Sequence, residues 1–212
     1  MSRIPFPPMT RPLIAILRGL KPAEADGVVG ALIETGFTAI EIPLNSPEPF
    51  RSIEAAVKLA PEGVLIGAGT VLTVADVDRL ADVGGTLMVS PNVEPDVIAR
   101  AAEKGMVTMP GVFTPTEALA AARAGATGLK FFPASVLGSA GIQAIRAVLP
   151  AELEIAAVGG VSERNFADYA AIGVRSFGLG SSLYKPGMAA DEVRARAEAT
   201  IAAYDAAYGV SR

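Results

Sequence analysis

Apolar runs and helix-periodic stretches alternate along the whole chain, at a spacing of roughly 20 to 25 residues. Eight short runs rich in branched or apolar residues read as strands: LIAILRG (13–19), AIEIPLN (39–45), VLIGAGTV (64–71), LMVSP (87–91), VTMPGV (107–112), GLKFFPA (128–134), EIAAVGGV (154–161) and SFGLGSSL (176–183). Ala-rich helical patterns fill the intervals. Several of these helices carry start signals: Ser46-Pro47, Thr73 before VADVDRL, the Thr114-Pro115-Thr116-Glu117 box, and Ser162 with Asn165 beyond it. Gly36, Gly84, Gly105, Gly125 and Gly173 stand where helices should stop, since a left-handed cap is cheap for glycine.

The strand runs are too apolar for a sheet with one wet face, so they read as parallel strands covered by helices. Eight consecutive strand–helix units predict a (β/α)8 TIM barrel, in a chain somewhat shorter than the usual ~250 residues. An open doubly wound sheet is the alternative. Its G-x-G-x-x-G fingerprint is missing after the first strand, where Arg18-Gly19-Leu20-Lys21-Pro22 occupies the turn.

Composition narrows the class. At 212 residues and 51% hydrophobic content the chain can bury one large core, and no linker divides it, so a single domain over 1–212 is expected. Its Pro-rich start, MSRIPFPPMTRP, reads as a short extension at 1–12 without the apolar core or cleavage site of a signal peptide. No apolar run approaches the ~18 residues of a membrane span, so a soluble, cytoplasmic protein with no membrane partner is expected. A net charge of −4 without a dense Lys/Arg run argues against nucleic acid as a partner. Absence of Cys and His removes disulfides, thiolate nucleophiles, imidazole bases and the usual zinc ligands, so no metal is expected.

In a barrel the working residues sit at the carboxyl ends of the strands. Among the polar residues that interrupt the strand runs, Arg18, Glu41, Asn45, Thr70 and Lys130 would converge on one mouth. Alternation places Ile40, Ile42 and Leu44 on one face of the second strand and Glu41, Pro43 and Asn45 on the other. The same rule sends Leu129 and Phe131 toward the helices, and Lys130 and Phe132 inward. Burying an ammonium is costly unless it is paired or loses its proton. Lys130 and Glu41 are therefore either a buried ion pair, with Arg18 and Thr70 completing a polar layer, or a tuned amine beside a proton-carrying carboxylate. Glycines in VGGV (158–161) and GLGSS (178–182) expose backbone N–H groups after the last two strands, where barrels bind phosphate, although tight turns would use the same residues. A desolvated lysine is a neutral nucleophile that forms Schiff bases with ketones, which suits the cleavage of a neighbouring C–C bond.

The segments RPLIAILRG, EIPLNSP, IGAGTVL, LKFFPAS, AVGGV and GLGSSLY, in this order and across nearly the whole chain, resemble those of the class I 2-keto-3-deoxy-6-phospho-sugar-acid aldolases. The resemblance implies that Lys130 is the Schiff-base lysine and Glu41 the proton shuttle. It further implies that Thr70 and the Phe132 region frame a pyruvate moiety, and that Arg18, Gly159, Gly160, Gly180 and Ser181 hold phosphate. No cofactor is implied, and family members are usually homotrimers. EIPLNSP resembles the 6-phosphogalactonate branch, because the gluconate branch typically carries Thr-Leu-Arg where this chain has Pro43-Leu44-Asn45. Ser135, where gluconate-type enzymes often have Glu, agrees with that branch. The implied reaction cleaves 2-dehydro-3-deoxy-6-phosphogalactonate, a phosphorylated sugar acid, to pyruvate and glyceraldehyde 3-phosphate, with the phosphogluconate epimer as the alternative substrate. Asn45 would shape the mouth for the galactonate epimer, or merely cap the helix expected near Pro47. Two other classes stay open: a phosphate-binding barrel isomerase or synthase without a covalent amine, and a silent sugar-phosphate sensor.

Overall fold

A computed structural model describes residues 4–210, so the first three positions of the extension expected at 1–12 lie outside the described residues. The elements run β1 (Leu13–Ile16), α1 (Pro22–Thr35), β2 (Ala39–Pro43), α2 (Pro49–Leu59), β3 (Leu65–Gly69), α3 (Val74–Asp82), β4 (Leu87–Val89), α4 (Pro95–Glu103), β5 (Val107–Met109), β6 (Gly111–Val112), α5 (Pro115–Arg123), β7 (Gly128–Phe131), α6 (Ala134–Arg146), β8 (Glu154–Val158), α7 (Phe166–Ala170), β9 (Ser176–Leu179) and α8 (Ala190–Tyr208). All paired strands are parallel, in the order β5-β4-β3-β2-β1-β9-β8-β7-β6. This is the barrel that the alternation predicts.

The ring closes through a broken strand. VTMPGV forms not one strand but two, β5 and β6, parted by Pro110, which has no N–H to give the ladder. Its carbonyl still accepts from the Lys130 amide at 3.0 Å. Below the break, Thr108 and Thr127 replace ladder bonds with side chains: Thr127 N donates to Thr108 Oγ1 at 2.8 Å, and Thr108 N to Thr127 Oγ1 at 3.1 Å.

Most predicted strands run on past their real carboxyl ends, as with LIAILRG, whose strand stops at Ile16. The overrun residues are those that turn into the βα-loops. Helix starts divide similarly. Thr73 and Thr114 cap α3 and α5, accepting from Asp76 N at 3.1 Å and Glu117 N at 3.3 Å. The start expected at Ser46-Pro47 is instead at Pro49, after a left-handed Glu48. Proline suits the first helical position, whose N–H would be unpaired anyway.

Two apolar layers hold the molecule. Between sheet and helices lie Ile40, Ile42, Leu129, Phe131 and Phe177; inside the ring lie Ile14, Leu87, Val89, Val107, Met109 and Val158. Each fully buried aliphatic or aromatic side chain contributes roughly 1.5–3 kcal/mol. Phe6 and Met9 of the Pro-rich segment pack against the inner layer and floor the barrel at the amino ends of its strands. Arg11 fastens that segment to the last helix through Asp205, with Nε to Oδ1 at 2.6 Å and Nη2 to Oδ2 at 2.9 Å. No helix among the described residues is long and apolar enough to cross a membrane.

Candidate active site

Glu41 and Lys130 enter the lumen from opposite sides of the ring, since three strands separate β2 from β7 in either direction when β5 and β6 count as one. Their neighbours Ile40, Ile42, Leu129 and Phe131 pack outward. Alternation along each strand then turns the two polar side chains inward. The space they share is lined by Ile14, Ile16, Val89, Met109, Ala156 and Val158. Glu41 is 2% and Lys130 7% exposed. A separate hollow of about 750 Å3 lies at the floor, beside Phe6, Arg123 and Arg175, and holds neither group.

That environment sets both protonation equilibria. Burial pushes the Glu41 carboxyl from its ordinary 4.5 to about 7, against the opposing pull of Lys130, Arg18 and the Gly69 backbone. Burial also lowers the Lys130 ammonium; Glu41 resists that shift and the charge of Arg18 adds to it. Glu41 Oε2 has no hydrogen-bond partner among the described residues. A closed structural ion pair would not leave a buried carboxylate oxygen orphaned, because such an atom costs about 1–3 kcal/mol or more. The site therefore offers an amine whose charged form is destabilised and a carboxyl that exchanges protons near neutrality. Lys130 Nζ lies 4.9 Å from the centroid of the Phe132 ring, so Phe132 roofs the amine at the mouth.

Around the rim, the end of β1 is latched to the end of β2. Arg18 Nη1 donates to Asn45 Oδ1 at 2.5 Å, and Gly19 N donates to Ser46 Oγ at 2.9 Å. Asn45 thus caps no helix, and Ser46 starts none; both hold the first loop. Thr70 closes β3 in the left-handed region, with φ of 57°. For a β-branched residue such a conformation costs of order 1–3 kcal/mol, the kind of strain that clusters at functional sites.

Gly159 and Gly160 follow β8, and Gly180 and Ser181 follow β9. Because β9 lies between β8 and β1, with Leu179 opposite Ala15, these loops and Arg18 succeed one another along one arc of the rim. Asn165 shapes the first of them, donating from Nδ2 to Gly160 O at 3.1 Å and accepting from Ser162 N at 3.0 Å. Ser182 Oγ ties the second loop to it through Val161 O at 3.2 Å. The amides of Gly160, Ser181 and Ser182 donate none of the loop hydrogen bonds among the described residues, so they can meet an anion. Two rim functions escaped the sequence: the latching by Ser46 and the bracing by Asn165, both of which read as helix starts.

Fold and site together define a (β/α)8-barrel enzyme built around a buried amine and a buried carboxyl. The description "KDPG and KHG aldolase" matches residues 9–200. A "Probable 2-dehydro-3-deoxy-6-phosphogalactonate aldolase" of Rhizobium meliloti (strain 1021) is 84% identical over 209 residues, covering 99% of each chain. The 2-dehydro-3-deoxy-6-phosphogalactonate aldolase of Escherichia coli (strain K12) is 48% identical, covering 91% of this chain and 94% of that one. A solved structure described as "Native KDPGal structure" superposes with a TM-score of 0.93 at 46% identity, covering 96% of this chain and 98% of that one. The chain belongs to the KDPG and KHG aldolase family.

Proposed function

We propose that this protein is a class I aldolase that cleaves 2-dehydro-3-deoxy-6-phosphogalactonate to pyruvate and glyceraldehyde 3-phosphate. The observation that carries the reading is the meeting of Lys130 and Glu41 across the lumen, with one carboxylate oxygen left unpartnered. Neutral Lys130 attacks the C2 ketone, and protonated Glu41 delivers the proton with which the carbinolamine hydroxyl leaves as water. The resulting iminium accepts the electron pair of the C3–C4 bond as Glu41 takes the proton of the C4 hydroxyl. Glyceraldehyde 3-phosphate departs, the enamine is protonated at C3, and water returns pyruvate and the free amine. A carboxyl near 7 is half-protonated at neutral pH and serves both directions of transfer. Gly159, Gly160, Gly180 and Ser181 cradle the phosphate through backbone amides. Arg18 takes part from the adjoining rim, and Thr70 and Phe132 frame the pyruvate end.

The galactonate assignment is supported by the names of the two relatives and by Asn45, which engages Arg18 at the strand end where a hydroxyl epimer must be read. A homotrimer belongs to the same reading; Leu72, Val74 and Phe113 leave apolar side chains exposed on loops and helix starts beside the mouth, surface of a kind that a second copy covers. A cytoplasmic setting suits a substrate whose phosphate keeps it from crossing membranes.

The test is borohydride reduction in the presence of pyruvate, followed by mass spectrometry. An adduct is expected on the peptide containing Lys130 in the wild type and in no peptide of Lys130→Met. Label elsewhere would end the Schiff-base assignment. Separately, kcat/KM for the two epimers is expected to favour the galactonate substrate, and Asn45→Arg to erode that preference. A wild-type preference for the gluconate epimer would overturn the specificity while leaving the amine chemistry standing.

A further inference from the structure

We propose that Gly69 is a positioning residue, which seats the Glu41 carboxylate by having no side chain. The inference rests on the catalytic reading of Glu41 and adds a residue to it. On β3, Gly67 stands opposite Glu41 and Gly69 opposite Pro43 in the ladder with β2. The Glu41 side chain leans along the ladder into the space that a Cβ on Gly69 would fill. The three atoms nearest to such a Cβ all belong to that carboxylate, with Cδ and Oε1 at 2.5 Å and Oε2 closer still.

The backbone at Gly69 is ordinary strand and lies outside the left-handed region, so its conformation alone would accept alanine. Nor can it move aside freely, because its carbonyl accepts from Leu44 N at 2.8 Å. Gly67 differs, since its absent Cβ would strike the Leu87 backbone, a matter of strand packing. At Gly69 the nearest conflict is with the reacting group itself. A methyl there must displace the carboxylate that carries the protons, and it leaves Lys130 on β7 untouched. Displaced toward the mouth, that carboxylate gains water and ionises more readily.

The decisive variant is Gly69→Ala, assayed by exchange of the pyruvate methyl protons against pH. Its exchange rate is expected to fall roughly 10- to 100-fold, the scale of an ångström-sized misplacement, with its acid midpoint below that of the wild type. Borohydride should still trap pyruvate on Lys130. Glu41→Asp, one methylene shorter, makes room for the methyl, so the pair Gly69→Ala and Glu41→Asp should lose less than the product of the single losses. Should Gly69→Ala melt too early to assay, its cost is measured in the Glu41→Ala background. There the carboxylate is gone and the melting temperature should move little. An adduct in both proteins with equal exchange rates and midpoints overturns the role of Gly69, as does a strictly multiplicative cycle or an equal stability loss in both backgrounds. Failure to trap any adduct on wild-type Lys130 overturns instead the catalytic reading on which the role depends.

Discussion

On the proposed reading, Glu41 is a residue that function retains at the expense of the fold. Its proton is held in the folded protein up to about pH 7, whereas the unfolded chain gives it up near 4.5. The folded state therefore binds more protons between those values, and stability falls as pH rises through that window. Integrated, the loss is on the order of 3 kcal/mol above pH 7. Glu41→Gln keeps the shape and removes the ionisation. Urea unfolding should find it more stable than the wild type at about pH 8 and nearly level with it at about pH 4. A wild type that stays the more stable at pH 8 would show that Glu41 is compensated by its neighbours after all. That Glu41 and Lys130 face one lumen was legible from alternation alone, because branched residues on either side fix which way each strand presents its polar member. Gly69 was not legible, even within the motif IGAGTVL. What a glycine does there is decided by a side chain from another strand, and nothing in its own neighbourhood records that.

At the level of elements, the weakest join is the break at Pro110. The two threonines below it act as a reciprocal staple, fully buried and each satisfying the other's backbone N–H. Thr108→Val keeps the shape and β-branching but strips the acceptor, leaving the Thr127 N–H buried without a partner. A loss of about 1–3 kcal/mol is expected in denaturant unfolding, with steady-state kinetics at the mouth unchanged, since the staple lies below Lys130. Unaltered stability would mean that water or a backbone shift takes over the orphaned donor. The proline in VTMPGV was visible, and a proline is confined to edges and breaks within sheets. The threonine pair was not, because Thr127 precedes its predicted strand and finds Thr108 only through the closed ring. Helix starts show the same division. Thr73 and Thr114 bond to the chain three residues on and could be read locally, whereas Ser46 spends its oxygen on a loop 27 residues away.

For the molecule as a whole, the spacing of strands and helices was enough to foresee the barrel, since repeated parallel units have few other ways to cover both faces of a sheet. The floor was not foreseeable: a Pro-rich segment carries no periodicity, and its place depends on Phe6 and Met9 finding the open end of the inner core. The clamp from Arg11 to Asp205 ties the Pro-rich segment to the last helix at that floor, away from the mouth. A circular permutant that joins residue 210 to residue 4 through roughly ten Gly/Ser residues, reaching about 17 Å, and opens at the exposed turn around Glu62, should fold to the same barrel. Every mouth loop would keep its parent strand and helix, so kcat should be close to that of the parent chain, at some cost in melting temperature. A permutant that folds but has lost turnover would show that the order of synthesis, and not only the closed ring, sets the geometry at Lys130.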